Sequence, residues 1–262
     1  MKTKKEKRIE TAIKQFARSE HKEDRYEDIM EKTARLLDIC GQASQARKVA
    51  VRIGMLIVSG SPTVVAPCCP DYSHQNGIYT FQGISGGVSL LAQKHIAFLR
   101  KVIQIVPEAR IILTLADLEA EDEEIRKCLH LSKEEFTQLL HSSLNAMRQD
   151  VKPLGWHSMM MTELFPQLES FEKECAVTVQ AEKYRDRIKA EMYSRIRMYK
   201  RIRPTFTAEE MLQRTIRTAA QYLAFGGYCA ENGFIICNHT TTNLSWYLQT
   251  DAAFLHNPIS VY

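Results

Sequence analysis

Apolar residues recur at three- and four-residue intervals through the first forty positions of the chain. Ile9, Ile13 and Phe16 are followed by Ile29 and Leu36, with charged residues between them. This spacing puts the apolar side chains on one face of a helix, so the pattern predicts amphipathic helices from residue 5 to about residue 40. We interpret about residues 1–45 as a helical extension that precedes the rest of the domain.

Four short apolar runs in the next part of the chain predict β-strands. They are VAVRIGMLIV at 49–58, PTVVAP at 62–67, GIYTFQ at 77–82 and ARIILTLA at 109–116. The last run is apolar on both faces, as is typical of a strand inside a parallel sheet. Between the last two runs, GISGG at 83–87 predicts a tight turn and residues 88–106 predict a helix. This order of strand, turn, helix and strand indicates a βαβ unit.

The second half of the chain is mainly helical by the same criterion. We predict helices at 133–149, at 169–203 as one long helix or a broken pair, and from Thr207 to Phe225, where Gly226-Gly227 ends the helix. GFIICN at 233–238 and PISVY at 258–262 predict two more strands. The order of elements predicts an α/β fold: a Rossmann-like, mostly parallel sheet flanked by helices, with a helical second half. We expect a single domain over residues 1–262.

The composition is that of a globular chain, with 45% hydrophobic and 25% charged residues. Its longest apolar run, Ile53 to Val58, is far shorter than the roughly 18 residues that span a bilayer, so we expect no membrane association. Seven cysteines at irregular spacing indicate a reducing compartment, and the N-terminus lacks the apolar segment of a secretory signal. We therefore expect a cytoplasmic protein, and no obligate protein partner is evident.

Charge is unevenly distributed along the chain. Residues 183–203 hold nine basic and two acidic residues, a balance of +7, whereas residues 117–124 hold six acids and no base. The basic stretch is either a solvated helix face or a surface for a polyanion, and lysine and arginine along a helix suit a phosphate backbone. As tRNA-binding residues we select Arg185, Arg187, Lys189, Arg195, Arg197, Lys200 and Arg201.

Ser85 is the first candidate for chemistry. Ligands of a βαβ unit bind at the carboxyl ends of its strands, which we predict at Gly83–Gly87 and Asp117–Glu119. A serine in a turn before a helix can act as a nucleophile, and backbone N–H groups there can stabilise an oxyanion. We therefore select Ser85 as catalytic and Gly83, Gly86, Gly87 and Asp117 as oxyanion or substrate-binding residues. Alternatively, the glycines only permit a tight turn and the acidic run is a solvated loop.

Two tyrosines and an asparagine complete the predicted site. Tyr222 falls late in an apolar helix, and Tyr247 belongs to NHTTTNLSWY, a segment rich in hydrogen-bonding groups that includes Asn243. We expect the two tyrosines to line the same pocket as Ser85, where a phenol can position an amine or relay a proton. Each tyrosine taken alone also fits a structural role in the core.

The cysteines and histidines do not have the spacing of a zinc site. Adjacent Cys68 and Cys69, and the run Cys229, Cys237 and His239, are poor matches to the C-x₂₋₄-C pattern of structural zinc. We expect neither a metal nor a cofactor.

The stretch GISGGVSLLAQKHIAFL, followed by ARIILTLAD, resembles the nucleophile turn, first helix and next strand of the tRNA-dependent cyclodipeptide synthases. The later segments TAEEMLQRTIRTAAQYLAFG and NLSWYLQ are similar in order, and the likeness spans roughly residues 77–250. It implies that Ser85 accepts an aminoacyl group from a charged tRNA, with Tyr222 and Tyr247 as catalytic tyrosines. The family has a glutamate four residues after the first tyrosine, where this chain has Gly226.

A second resemblance leads to a different class of reaction. The strand and APCCPDY segment between Ile53 and Tyr72 is somewhat similar to isocyanide synthases of the pyoverdine and dityrosine type, which act on free amino acids on a Rossmann-like core. Three hypotheses therefore stand: an aminoacyl transferase that uses aminoacyl-tRNA to form a (cyclo)dipeptide, an enzyme acting on a free amino acid, and a non-catalytic RNA-binding module.

Overall fold

A computed structural model describes residues 4–20, 22–40, 47–75, 78–200, 207–239, 246 and 249–258. Short 3₁₀ turns connect several of its helices and strands. In chain order the elements are α1 (Lys4–Ser19), α2 (Tyr26–Ile39), α3 (Arg47–Ser59), β1 (Thr63–Cys68), β2 (Asp71–Gln75), β3 (Ile78–Ser85), α4 (Leu90–Ile105), β4 (Arg110–Leu115), α5 (Glu123–Leu129), α6 (Lys133–Val151), β5 (His157–Met160), α7 (Met161–Leu164), α8 (Leu168–Val179), α9 (Arg185–Lys200), α10 (Ala208–Glu231), β6 (Ile235–Asn238) and β7 (Ala253–His256).

Five parallel strands form the main sheet, in the order β5-β4-β1-β6-β7, which confirms the predicted Rossmann-like α/β fold. β1 lies at the centre and pairs with β4 on one side and β6 on the other, so that Val64 is in register with both Ile111 and Ile235. The direction of sheet growth reverses between β1 and β6. In open α/β sheets, ligands bind at such a reversal, beyond the carboxyl ends of the strands.

The hairpin β2–β3 is a separate two-stranded antiparallel sheet, inserted between β1 and α4. The predicted strand at 77–82 is therefore real from Ile78 onwards, but it does not belong to the main sheet. The βαβ unit is instead β1–α4–β4, and its first strand ends at Cys68 rather than at Gly83–Gly87. The prediction erred because an apolar run does not reveal which sheet its strand joins.

The predicted strand at 49–58 is wrong, because these residues form the helix α3. Ala50, Ile53 and Ile57 are buried at helical spacing, and a short apolar run cannot distinguish a buried helix from a strand. α3 packs closely against α1: a Cβ atom added at Gly54 would lie 2.4 Å from Ile13 Cδ1. Since Ile13 belongs to the same core cluster as the central strand, the N-terminal helices are part of the core.

The helix α10 also differs from its prediction, because it continues through Gly226-Gly227 to Glu231. Gly226 is buried within the helix and Gly227 has open space around it, so neither glycine ends the helix. The chain leaves the helix only at Asn232 and Gly233, where Gly233 adopts a φ of 66°.

The remaining helices of the second half agree with their predictions. α6 begins with the Ser132–Glu135 capping box, and the stretch from 169 is a broken pair, α8 and α9. The last strand is β7, which was not predicted, and residues 259–262 of the predicted strand at 258–262 lie outside the described residues. Across the described ranges, no helix is both long enough and apolar enough to cross a membrane.

The burial of Ile13 gives a test of the N-terminal packing. Replacing a fully buried isoleucine with alanine costs about 2–5 kcal/mol through lost transfer energy and a cavity, so we expect Ile13→Ala to lower the urea midpoint substantially. Gln15→Ala, at an exposed position on the same helix, serves as the control and leaves the midpoint nearly unchanged. Equal midpoints for the two variants would show that α1 is an appendage.

Candidate active site

Ser85 ends β3 with its side chain exposed, and its hydroxyl group donates a hydrogen bond to the carboxylate of Asp71. The hairpin register causes this contact, because Asp71 and Ser85 are cross-strand partners. The Gly87 N–H donates to Ser85 Oγ over 3.1 Å. Asp71 was not selected from the sequence, because it lies fourteen positions before Ser85 and only the pairing of β2 with β3 brings the two side chains together.

The turn after Ser85 is fixed against α6. Ser143 Oγ donates to the Ser85 carbonyl oxygen over 3.2 Å, and Ser142 Oγ donates to the Gly86 carbonyl oxygen over 3.1 Å. A Cβ atom at Gly86 would lie 2.4 Å from Ser142 Oγ and 2.7 Å from Ser142 Cβ, so glycine is required for this close approach. The turn is therefore held rigidly, with the serine hydroxyl facing solvent.

Beyond β4, the chain turns through residues 117–121 and directs Glu119 into a polar cluster. The Tyr72 hydroxyl group donates to the Glu119 carboxyl group. Desolvation raises the pKa of Glu119 to about 8, and the nearby Arg214 opposes this shift without cancelling it. A carboxyl group with a pKa near neutrality can both donate and accept a proton, as general acid–base catalysis requires.

Tyr222 on α10 and Cys69 after β1 complete the cluster around Glu119. Burial raises the pKa of the Tyr222 phenol, with Arg195, Cys69 and Glu119 as charged or titratable neighbours. Burial likewise raises the pKa of the Cys69 thiol, which keeps it protonated and a weak nucleophile. The cluster thus forms where the carboxyl ends of β1 and β4 meet α9 and α10.

Two consecutive residues of β2 connect the serine turn to this cluster. Asp71 accepts from Ser85, and the next residue, Tyr72, donates to Glu119. Successive side chains of a strand point to opposite faces, so Ser85 and Glu119 lie on opposite sides of the hairpin and are joined through adjacent peptide units. That Tyr222 shares one substrate pocket with Ser85 stays a prediction, and Tyr247 and Asn243 lie outside the described residues.

Asp117 has a local partner. Its two carboxylate oxygens accept hydrogen bonds from the backbone N–H and the hydroxyl group of Thr162, the N–H over 3.1 Å. This contact ties the end of β4 to the first turn of α7. The acidic run is therefore only in part a solvated loop. Asp122 turns inward and pairs with Arg214 at 3.3 Å, whereas Glu121 and Glu123 are exposed.

The predicted RNA-binding residues fall on different faces of α9. Arg185 and Lys189 are exposed, whereas Arg187 lies 4.7 Å from the ring centroid of the buried Trp246 and Arg195 adjoins the Glu119 cluster. The side chains of Arg197 and Lys200, and all of Arg201, lie outside the description.

A second polar group is buried at the carboxyl ends of β6 and β7. His95 on α4 lies with Nδ1 3.2 Å from Cys237 Sγ, and its ring meets that of His239 edge-on at 5.6 Å. Burial lowers the pKa of His95 to about 3 and that of His239 to about 4, so both imidazoles are neutral. Within the described ranges, no group of three or more histidine, cysteine or acidic side chains is arranged to hold a metal ion.

The chain matches no known protein family, and neither a curated protein nor a solved structure shows significant similarity to it.

The raised pKa of Glu119 has a measurable consequence for stability. The folded chain keeps this proton up to about pH 8, whereas an unfolded glutamate releases it near 4.5, so the contribution of Glu119 to stability is lost as the pH rises through this window. We expect the free energy of unfolding of the unmodified chain, relative to Glu119→Gln, to fall as the pH rises from about 4.5 to about 8, the range set by this shift.

Urea midpoints at several pH values measure this difference. Glu134→Gln removes an exposed carboxylate from α6 and is the matched control. A difference between the unmodified chain and Glu119→Gln that does not vary with pH would show that the Glu119 carboxyl group titrates normally.

Proposed function

We propose that this protein is an acyltransferase that moves an aminoacyl group from charged tRNA onto Ser85 and then into a (cyclo)dipeptide. The observation that carries the proposal is the exposed Ser85 hydroxyl group, hydrogen-bonded to the Asp71 carboxylate in a rigid turn before α4. A serine needs a neighbouring base or an activated substrate to act as a nucleophile, and this arrangement with an aminoacyl ester supplies both.

In the first step, Ser85 Oγ attacks the carbonyl carbon of the ester that joins the amino acid to the tRNA ribose. Asp71 accepts the hydroxyl proton as the new C–O bond forms. The bond to the ribose oxygen then breaks, Asp71 returns the proton to that oxygen, and uncharged tRNA leaves. The Gly87 N–H donates to Ser85 Oγ in the free protein, which leaves the Gly86 N–H as our choice for stabilising the oxyanion.

In the second step, the amine of a second aminoacyl-tRNA attacks the Ser85 ester. A peptide bond forms, the bond to Ser85 Oγ breaks, and the amine proton passes through Asp71 to that oxygen. The free amine of the dipeptidyl-tRNA then attacks its own ester, which releases a cyclic dipeptide and tRNA.

The Glu119 cluster lies on the opposite side of the β2–β3 hairpin from Ser85, so we assign it no step on the Ser85 ester. A carboxyl group with a raised pKa beside the Tyr72 phenol is suited instead to accept a proton from the ammonium group of a free amino acid. The resemblance to cyclodipeptide synthases implies a glutamate where this chain has Gly226. Glu119 influences Tyr222 electrostatically but lies across the hairpin, so it does not replace that glutamate in the Ser85 reaction.

Variants of the dyad test this proposal. Ser85→Ala should abolish a covalent aminoacyl adduct in intact-protein mass spectrometry, as well as dipeptide formation. Asp71→Asn keeps the size of the side chain but removes the base, so turnover should fall by roughly 10²- to 10⁴-fold. Both variants should retain the free energy of unfolding of the unmodified chain to within about 1 kcal/mol, as measured in urea.

Ser142→Ala is the matched control for these variants. It removes a serine hydroxyl of α6 that donates a hydrogen bond to the same turn, at the Gly86 carbonyl oxygen, and should leave the adduct intact. An active Ser85→Ala variant would exclude the covalent mechanism. It would favour the second candidate, an enzyme acting on a free amino acid, for which we choose the Glu119, Tyr72 and Tyr222 cluster as the binding site.

The partner, aminoacyl-tRNA, is tested on the exposed face of α9. Reversing both Arg185 and Lys189 to Glu should weaken tRNA binding and reduce the dependence of affinity on salt, because each lost phosphate contact removes about 0.7–0.9 from the salt slope. Arg100→Glu with Lys101→Glu makes the same charge change on exposed residues of α4 and is the control. Equal losses for the two double variants would indicate only a net-charge effect. Binding without any adduct would favour a non-catalytic RNA-binding module.

A further inference from the structure

The exposed face of α9 carries an aromatic ring in line with its basic residues. Arg185, Lys189 and Tyr193 follow one another at four-residue spacing, which places them on one stripe of the helix. Tyr193 is 58% exposed, and within the described ranges only Phe171 and Val177 are large apolar side chains of comparable exposure. Both of those lie on α8, whose basic residue Lys173 is paired with Glu169 at 3.0 Å, so Tyr193 is the one in line with two basic residues of its own helix.

The opposite face of α9 is firmly attached to the protein. Trp246 is fully buried, donates from Nε1 to Glu191 over 2.6 Å and lies under the Arg187 guanidinium group. Ile188 is buried on the same side. The stripe is thus presented on a fixed helix, and the acidic Glu191 is turned away from it.

On the described part of α9 and the turn before it, two acids lie near the stripe, both at its N-terminal end. Glu182 lies 3.6 Å from Arg185, and Asp186 is exposed in the first turn. The positive potential of the stripe is therefore greatest towards Lys189 and Tyr193. A phosphate at Lys189 would place the adjoining nucleotide beside the phenol ring.

We infer that Tyr193 is a stacking platform for an unpaired base of an RNA strand whose phosphate is bound by Lys189. Successive bases stack on aromatic side chains in proteins that combine them with a positive track, and this stacking tolerates any base. A base-paired helix cannot offer a free base face in the middle of its stack, so the platform selects single-stranded RNA.

The identity of the RNA rests on the proposed function, which makes it the unpaired aminoacyl end of a tRNA. Arg195, two residues beyond Tyr193, adjoins Glu119 and Tyr222 on the inner side of the same helix. A strand that stacks on Tyr193 therefore lies about one helix diameter, roughly 10–12 Å, from the Glu119 cluster.

Fluorescence anisotropy with two RNA probes tests the platform: a single-stranded 12-mer and a blunt hairpin of the same composition. Tyr193→Ala should weaken binding of the 12-mer by roughly 5- to 150-fold, the range for loss of one stacked base, with little effect on the hairpin stem. Tyr193→Phe keeps the ring and should bind within about twofold of the unmodified chain. Val177→Ala, on exposed apolar surface of α8 where the neighbouring Lys173 is paired with Glu169, is the control.

Unchanged affinity of Tyr193→Ala for the 12-mer, or an equal loss on the hairpin, would overturn the inference. Binding of anionic phospholipid vesicles in place of RNA would overturn it as well. The aminoacyl adduct on Ser85 is read separately in the unmodified chain. If Tyr193→Ala weakens binding of the 12-mer but no adduct forms, the proposed function is rejected and the stacking role of Tyr193 is supported. If an adduct forms but Tyr193→Ala leaves binding unchanged, the stacking role is rejected and the proposed function is supported.

Discussion

The parallel pairing of β1 with both β4 and β6 is the constraint on which the rest of the structure depends. Because all strands of the main sheet run in one direction, Cys69 and the segment 117–121 leave it at the same edge. The chain between β1 and α4 must cross that edge, and it does so as the hairpin β2–β3. The register of this hairpin then decides that Asp71 meets Ser85 and that Tyr72 meets Glu119.

The Glu119 cluster packs together because its titratable side chains are in their neutral forms. Desolvation raises the pKa values of Glu119, Tyr222 and Cys69, so these side chains approach one another without the repulsion that three anions would suffer. Arginine side chains on α9 and α10 lie close enough to stabilise a transient negative charge. The cluster can therefore accept or release a proton with little rearrangement of its packing.

The sequence predicted those parts of the fold in which local pattern and burial coincide. β1 and β4 are flanked by strands on both sides, so their apolar runs are distinctive, and the helix starts at Ser132 and Thr207 have capping boxes that need no tertiary context. The helix α3 was mistaken for a strand because it is buried and its apolar positions are nearly continuous.

Ser85 was selected from its turn, but its base Asp71 was not, because only strand pairing brings the two together. Glu119 could not be distinguished from its acidic neighbours for a related reason. Its desolvation comes from the packing of other elements around it, and residues 117–124 do not encode that packing themselves.

The neutral imidazoles of His95 and His239 make the stability of the fold decrease at acid pH, whereas Glu119 makes it decrease at higher pH. Unfolded histidines take up protons below about pH 6.5, whereas the folded chain resists this down to about 3 or 4, so these two residues weaken the fold progressively as acidity rises. Glu119 weakens it in the opposite direction, up to about pH 8. At acid pH the unfolded chain takes up two histidine protons that the folded chain does not, and at higher pH it releases one glutamate proton that the folded chain keeps. For these three groups, the free energy of unfolding is therefore greatest close to the ordinary pKa of histidine. Among these three groups, acidification therefore acts first at the carboxyl ends of β6 and β7, where the two imidazoles lie.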